Sequence, residues 1–224
     1  MDVAILYRET RRQLLDVAAA LGADDVSAPV PALPGWSVRD AYAHLTGLCA
    51  DMLDGRMEGA GSPEWTSVHL LERASRPFAD VRAEWAERGP ALDDVLRAAG
   101  ADAPPFVAFD VWTHEQDIRG ALGGSGVHDD DRVHWLAGNA LGAFAGRYEA
   151  SGAPAVRIVH TSGERVLGTG PPDVTLRVDD YELARILFGR RSARQIAAAD
   201  WTGEPTAVIE QLHLFDLPVV DLAD

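Results

Sequence analysis

The sequence contains no lysine. Its 20 basic residues are all arginine and stand against 35 acidic ones, a formal charge of −15 over 224 residues. Asn139 is the only asparagine. Both scarcities fit GC-rich codons, which favour Ala, Gly, Arg and Pro. So large an acidic excess argues against nucleic acid or an anionic membrane as a partner, because those surfaces call for clustered positive charge. Cys49 is the only cysteine, which excludes an intramolecular disulfide and a cysteine-built zinc cage. No apolar run approaches the ~20 residues that span a bilayer. The N-terminus carries Asp2 and further charges through Arg12, unlike a secretory signal. A cytoplasmic protein is expected.

What is present reads as globular. A hydrophobic fraction of 47% and a charged fraction of 25% are ordinary for a folded protein. A chain of this length buries roughly 70% of the surface its unfolded form exposes, enough for a core without staples. Residues 1–150 read as helices. Apolar positions recur at helical spacing from Val3 to Leu21, and Gly22 follows. Pro31, Pro34 and Gly35 mark a fixed connector, after which Ser37 and Asp40 have the form of a capping pair opening a helix to about Met57. A third helical stretch, Glu64 to Ala99, is interrupted by Pro77. Two more helices are expected, from Pro105 to Leu122 and from Asp129 to Tyr148. Residues 151–224 change period. Val156–His160 and Val174–Val178 alternate as strands do, with a further strand at Glu164–Leu167. Short helices are expected at Tyr181–Phe188, Ser192–Ala199 and Thr206–Leu214. The expected architecture is a helical bundle followed by a small α/β domain.

Chemistry points to one helix. Asp110 and His114 are four apart, so both lie on one face, one turn from each other. An acid and an imidazole so placed converge on a point above the helix and can share a divalent ion, given a third ligand from elsewhere. Asp117 lies on the same face. The helix is otherwise apolar, with Val107, Val111 and Ile118 beside this stripe, so the acids border the bundle interior, where they do not go unpaired. His44 sits beside the apolar stripe Ala41, Leu45, Leu48 and Met52 of the second helix. It is the candidate third ligand, the alternative being a core histidine held by one hydrogen bond. His69 and His134 fall on helices and are weaker candidates, His128 falls in a Gly-rich loop, and His160 lies on a strand. Cys49 reads as a small buried residue. Gly123, Gly124 and Gly126 follow a helix rather than open one, the wrong context for a phosphate cradle.

Two motifs carry a family resemblance. Val30-Pro31-Ala32-Leu33-Pro34-Gly35-Trp36-Ser37-Val38-Arg39-Asp40 with Ala43-His44-Leu45, and Asp110-Val111-Trp112-Thr113-His114-Glu115-Gln116-Asp117-Ile118-Arg119 with Ala121-Leu122-Gly123, resemble the signatures of the mycothiol-dependent maleylpyruvate isomerase family. That family belongs to a DinB-like metal-binding superfamily. Glu182-Leu183, Gly189-Arg190-Arg191-Ser192 and Trp201-Thr202-Gly203 resemble its small C-terminal domain. The resemblance implies a DinB-like up-down helical bundle followed by a sterol-carrier-like α/β domain. It implies a divalent metal, typically zinc, on His44, Asp110 and His114, where members usually carry Glu in place of Asp110. It implies mycothiol as a thiol cosubstrate and a small electrophilic, keto-acid-like substrate, converted by isomerisation or thiol S-transfer. Asp117 would orient His114 or a metal-bound water, and Arg190 or Arg191 would meet a substrate carboxylate. The alternatives are a non-catalytic module with a vestigial site and a metal-dependent hydrolase.

Overall fold

A computed structural model gives the fold and describes residues 1–126 and 128–223. The chain divides into two compact units, Met1–Ser125 and Gly126–Ala223.

The first unit is helical: α1 (Val3–Ala20), α2 (Ala23–Ser27), α3 (Val38–Asp54), α4 (Pro63–Arg73), α5 (Phe78–Ala99) and α6 (Phe106–Ala121), with a short 3-10 turn at Gly100–Asp102. The helix starts follow from local chemistry. Asp2 accepts from the Ile5 N–H and Ser62 from the Trp65 N–H. Ser37 and Asp40 cap α3 reciprocally: Ser37 N–H donates to Asp40 Oδ2 at 2.8 Å, and Asp40 N–H to Ser37 Oγ at 3.3 Å. Such caps satisfy donors that have no partner inside the helix, each worth about 1 kcal/mol. The stretch 64–99 is two helices, with Pro77 capping the second, while Pro90 lies inside α5 without ending it.

The helices pack as their apolar faces require. α1 lies against α5 and α6, and α3 against α4, α5 and α6. Leu6, Leu14, Tyr42, Leu45, Leu48, Trp85 and Trp112 are fully buried among them. One polar interlock ties α1 to α5: Arg11 Nη2 meets Asp93 Oδ2 at 2.6 Å, both side chains nearly buried. Gly89 makes room for it, since a Cβ there would come within 2.6 Å of the Arg11 side chain. Breaking such a pair by removing one partner costs about 3–5 kcal/mol, because the other charge stays buried.

The second unit comprises α7 (Asp131–Ser151), β1 (Val156–His160), β2 (Gly163–Leu167), β3 (Val174–Arg177), α8 (Asp180–Leu187), α9 (Ala193–Ala197), β4 (Asp200–Thr202) and α10 (Thr206–Ile209). The strands form a four-stranded mixed sheet in the order β2-β1-β3-β4. β1 pairs antiparallel with β2, Val156 opposite Leu167, and parallel with β3, Val156 opposite Val174; β3 pairs antiparallel with β4. Val156, Ile158, Leu167 and Leu176 are buried. Helical texture alone groups α7 with the bundle and sets a boundary near residue 150. Its contacts group it instead with α8 and β2, so the two units divide at 125/126. Strand β4 escapes periodicity because it is only three residues long, and α10 is shorter than the expected Thr206–Leu214.

A buried carboxylate fastens this unit. Asp180, at the start of α8, faces His134 Nδ1 of α7 at 2.7 Å, His160 Nδ1 of β1 at 2.5 Å, and the Ser162 hydroxyl. Burial pushes Asp180 up, but the bonds from Ser162, His160 and His134 outweigh it and hold the carboxyl below its ordinary 3.8. The bond to Asp180 raises His134 above its ordinary 6.5. Asp180 therefore stabilises the fold above its unfolded pKa and ceases to as pH falls through its lowered value. His134 stabilises below its unfolded pKa and ceases to as pH rises through its raised value. The contribution is greatest between them, in mildly acidic solution. Thermal melts across pH 3–9 (roughly the span of the two titrations) should show the melting-temperature gap between the wild type and Asp180→Asn peaking there and narrowing on both sides; a gap independent of pH would contradict this account.

Candidate metal centre

The motif around Trp36 explains itself residue by residue. The Val30 N–H donates to the Trp36 carbonyl at 2.9 Å and the Val38 N–H to the Ala28 carbonyl at 2.9 Å, closing a tight loop before α3. Ser37 and Asp40 start the helix. Arg39 donates through Nη2 to the carbonyls of Arg73 at 2.5 Å, Ala74 at 3.2 Å and Arg76 at 2.6 Å, which fastens the end of α4 to α3. Glu84 of α5 receives both Arg73 and Arg76 at the same place. The loop sets the Trp36 ring 5.5 Å from that of His44 and stacks it over His114 at 6.0 Å.

His44 of α3 and Asp110 and His114 of α6 come together in the structure. One ligand atom from each lies within 4.8 Å of the other two. His44 Nε2 is 3.2 Å from Asp110 Oδ2, and His114 Nε2 is 3.6 Å from Asp110 Oδ1. The shorter arm of Asp110 thus still sets its carboxylate between the two imidazoles. Both histidines are buried, while the Asp110 side chain keeps 29% exposure, so the cluster has one open side. Asp117, wholly buried, lies 3.2 Å from His114 Nδ1. The donor set suits a divalent ion: a carboxylate has no proton to give, and two imidazole nitrogens can each turn a lone pair to it.

His69 is the residue that spacing missed. It is completely buried on α4. Its Nδ1 lies 3.1 Å from His44 Nδ1, and its Nε2 lies 3.0 Å from Asp51 Oδ2. Burial holds it below the ordinary imidazole value, although Asp51 pulls the other way. Asp51 is held from outside by Arg56, whose Nε donates to Oδ1 at 2.7 Å. Trp65 packs edge-on against His69 at 4.2 Å. These partners sit on different helices, so helical spacing carries no trace of them. His134 meets Asp129 locally, Nε2 to Oδ1 at 3.0 Å, and Asp180 of α8 through the fold, Nδ1 to Oδ2 at 2.7 Å. His128 is exposed, with its ring against Tyr181. Cys49 is buried and raised by burial, as expected of a packing residue.

Arg190 and Arg191 lie in the second unit and are buried. Glu182 holds Arg191 bidentately, at 2.8 Å to Nε and 2.6 Å to Nη2, and Arg190 donates to the Phe188 carbonyl at 2.9 Å. Both are thus engaged with the protein itself.

The first unit is therefore a helical domain with a buried two-histidine, one-carboxylate cluster, followed in sequence by a small mixed-sheet unit. Residues 7–107 match the sequence model of the Mycothiol maleylpyruvate isomerase N-terminal domain. The matched stretch includes His44, Asp51 and His69 and ends before Asp110. Among solved structures, the chain is similar to the mycothiol-dependent maleylpyruvate isomerase, with a TM-score of 0.55 and 14% identity over 84% of this chain and 88% of that one. A histidine-to-alanine mutant of such an enzyme gives a TM-score of 0.54 and 13% identity, covering 84% and 88%. At these identities the likeness establishes the fold. No curated protein matches the sequence at a significant level. No described helix is long and apolar enough to cross a membrane.

Gly47 of α3 makes the cluster possible. A Cβ there would lie 2.3 Å from His69 Cγ. Alanine favours a helix over glycine by about 1 kcal/mol, but overpacking of this kind costs about 1–3 kcal/mol or more. Gly47→Ala should therefore lower the melting temperature and displace His69. Gly138→Ala and Gly146→Ala are the controls: both sites are exposed helix positions of α7 with nothing within 4 Å of the added methyl, and both should be neutral or stabilising. Equal melting temperatures for Gly47→Ala and the controls would refute the assignment.

Proposed function

We propose that the chain is a divalent-metal enzyme, with zinc on His44, Asp110 and His114, that uses a low-molecular-weight thiol such as mycothiol. The reaction is of the isomerase or thiol S-transferase type, on a small electrophilic, keto-acid-like substrate. The observation that carries this is the convergence of the three ligand atoms within 4.8 Å, with one side open. The match of residues 7–107 to the Mycothiol maleylpyruvate isomerase N-terminal domain supports the thiol.

A zinc ion held there would lower the pKa of a bound thiol, so that the thiolate persists at neutral pH. The chain's own groups set the conditions for it. As ligands of a divalent ion the two imidazoles would be neutral and Asp110 would supply the only negative charge of the three, so the ion would keep net positive charge for a further anion. Asp117 stands 3.2 Å behind His114 Nδ1 and would orient that ring in the metal-bound protein. Trp36 covers both histidines with an apolar face and limits water on that side. With no lysine in the chain, a substrate carboxylate must be met by arginine or by the metal. Arg190 and Arg191 remain the proposed candidates, and their engagement with Glu182 and Phe188 makes a supporting structural role the alternative.

Protein purified without chelator should carry about one zinc per chain on its three-ligand site, and His44→Ala should lose it. With cobalt in place of zinc, added mycothiol should produce a thiolate-to-cobalt charge-transfer band. A wild type with no affinity for divalent metal would overturn the reading. Metal without any response to thiol would leave a hydrolase or a structural site instead.

A further inference from the structure

His44 and Asp51 lie seven residues apart on α3, on one face and two turns from each other, roughly 10 Å along the axis. That is too far for contact. Gly47 lies between them on the same face, and the His69 ring occupies the space its missing side chain leaves. The ring touches both neighbours, His44 through Nδ1 and Asp51 through Nε2.

We propose that His69, backed by Asp51, is a positioning residue that locks His44 in the tautomer bearing its proton on Nδ1 and its lone pair on Nε2. The proposal deepens the metal-centre reading and rests on it. Asp51 as a carboxylate can only accept, so the proton between it and His69 resides on His69 Nε2. A neutral imidazole has one N–H, and His69 Nδ1 is then bare. It faces His44 Nδ1 at 3.1 Å, so His44 must donate there. A neutral His44 then keeps its lone pair on Nε2, 3.2 Å from Asp110 Oδ2, where a cation shared with that carboxylate would take the place of a proton. Metal-binding histidines commonly donate their second N–H to a carboxylate or carbonyl. Here an imidazole is interposed, and Arg56 anchors the carboxylate behind it.

The test has two arms. In the first, nitrogen-15 NMR on the metal-free wild type near pH 8, where free imidazoles are neutral, reads the tautomers directly. His44 should be protonated at Nδ1 and His69 at Nε2; a bare Nδ1 on His44 overturns the proposal. In the second, zinc affinity is measured by competition with a chromophoric chelator, with circular dichroism and melting as folding controls. His69→Leu removes the acceptor and should lose roughly 10–100-fold in affinity. His69→Asn, whose Oδ1 takes the place of Nδ1, should recover most of it. Wild-type affinity in folded His69→Leu, or equal loss in both variants, overturns the proposal. Should His69→Leu not fold, the tautomers decide. A wild type that binds no zinc yet shows the stated tautomers would sink the metal enzyme and leave the hydrogen-bonded lock standing.

Discussion

The first unit is organised around a carboxylate facing two imidazoles where water is largely excluded. Asp110 between His44 and His114 is costly unless a cation or proton is shared among them, and that cost shapes the helices around it. α3 and α6 bring the ligands, α4 brings the ring behind His44, and the loop before α3 brings the indole that covers two of them. The caps and clamps nearby keep these helices in register. Ser37 and Asp40 start α3 one residue before Val38, and Arg39 ties the end of α4 to it. Arg39 on three carbonyls and Arg73 on Glu84 together hold the end of the helix that carries His69.

The same residues therefore serve structure and chemistry together. The Trp36-Ser37-Val38-Arg39-Asp40 run contains an indole against the site, a cap, a core valine and an interhelical clamp, and His44 follows one turn after the cap is complete. Glycine contributes by absence: Gly47 lets an imidazole approach the backbone of α3, and Gly89 lets a guanidinium reach a buried aspartate. The lack of lysine recurs in both units. Every cationic clamp outside the histidines is arginine, whose planar fork suits bidentate partners such as Glu84 and Glu182.

Legibility followed sequence distance. The capping of α3, the pairing of Asp110 with His114 and the alternation of β1 and β3 are local patterns, and each could be read from spacing. His44 could be named a candidate from its place beside an apolar stripe, and the family resemblance pointed the same way. His69 gave no such sign. Its partners lie 25 residues before it and 18 residues before it, on another helix. Asp180 gave none either, because its histidines come from α7 and β1. The placement of α7 was hidden for a related reason: an amphipathic helix states that one face is buried, not against what.

By itself, then, the sequence determined the helical and stranded halves, the starts of helices, the acidic arginine-only character and the one-turn pair on α6, since all of these depend on periods of 2 or 3.6 residues and on neighbours within a turn. The tertiary structure decided which acid each histidine meets, to which unit α7 belongs, and that a glycine on α3 is matched by a ring on α4. Those are contacts between elements, set by packing of whole helices, and no local period encodes them.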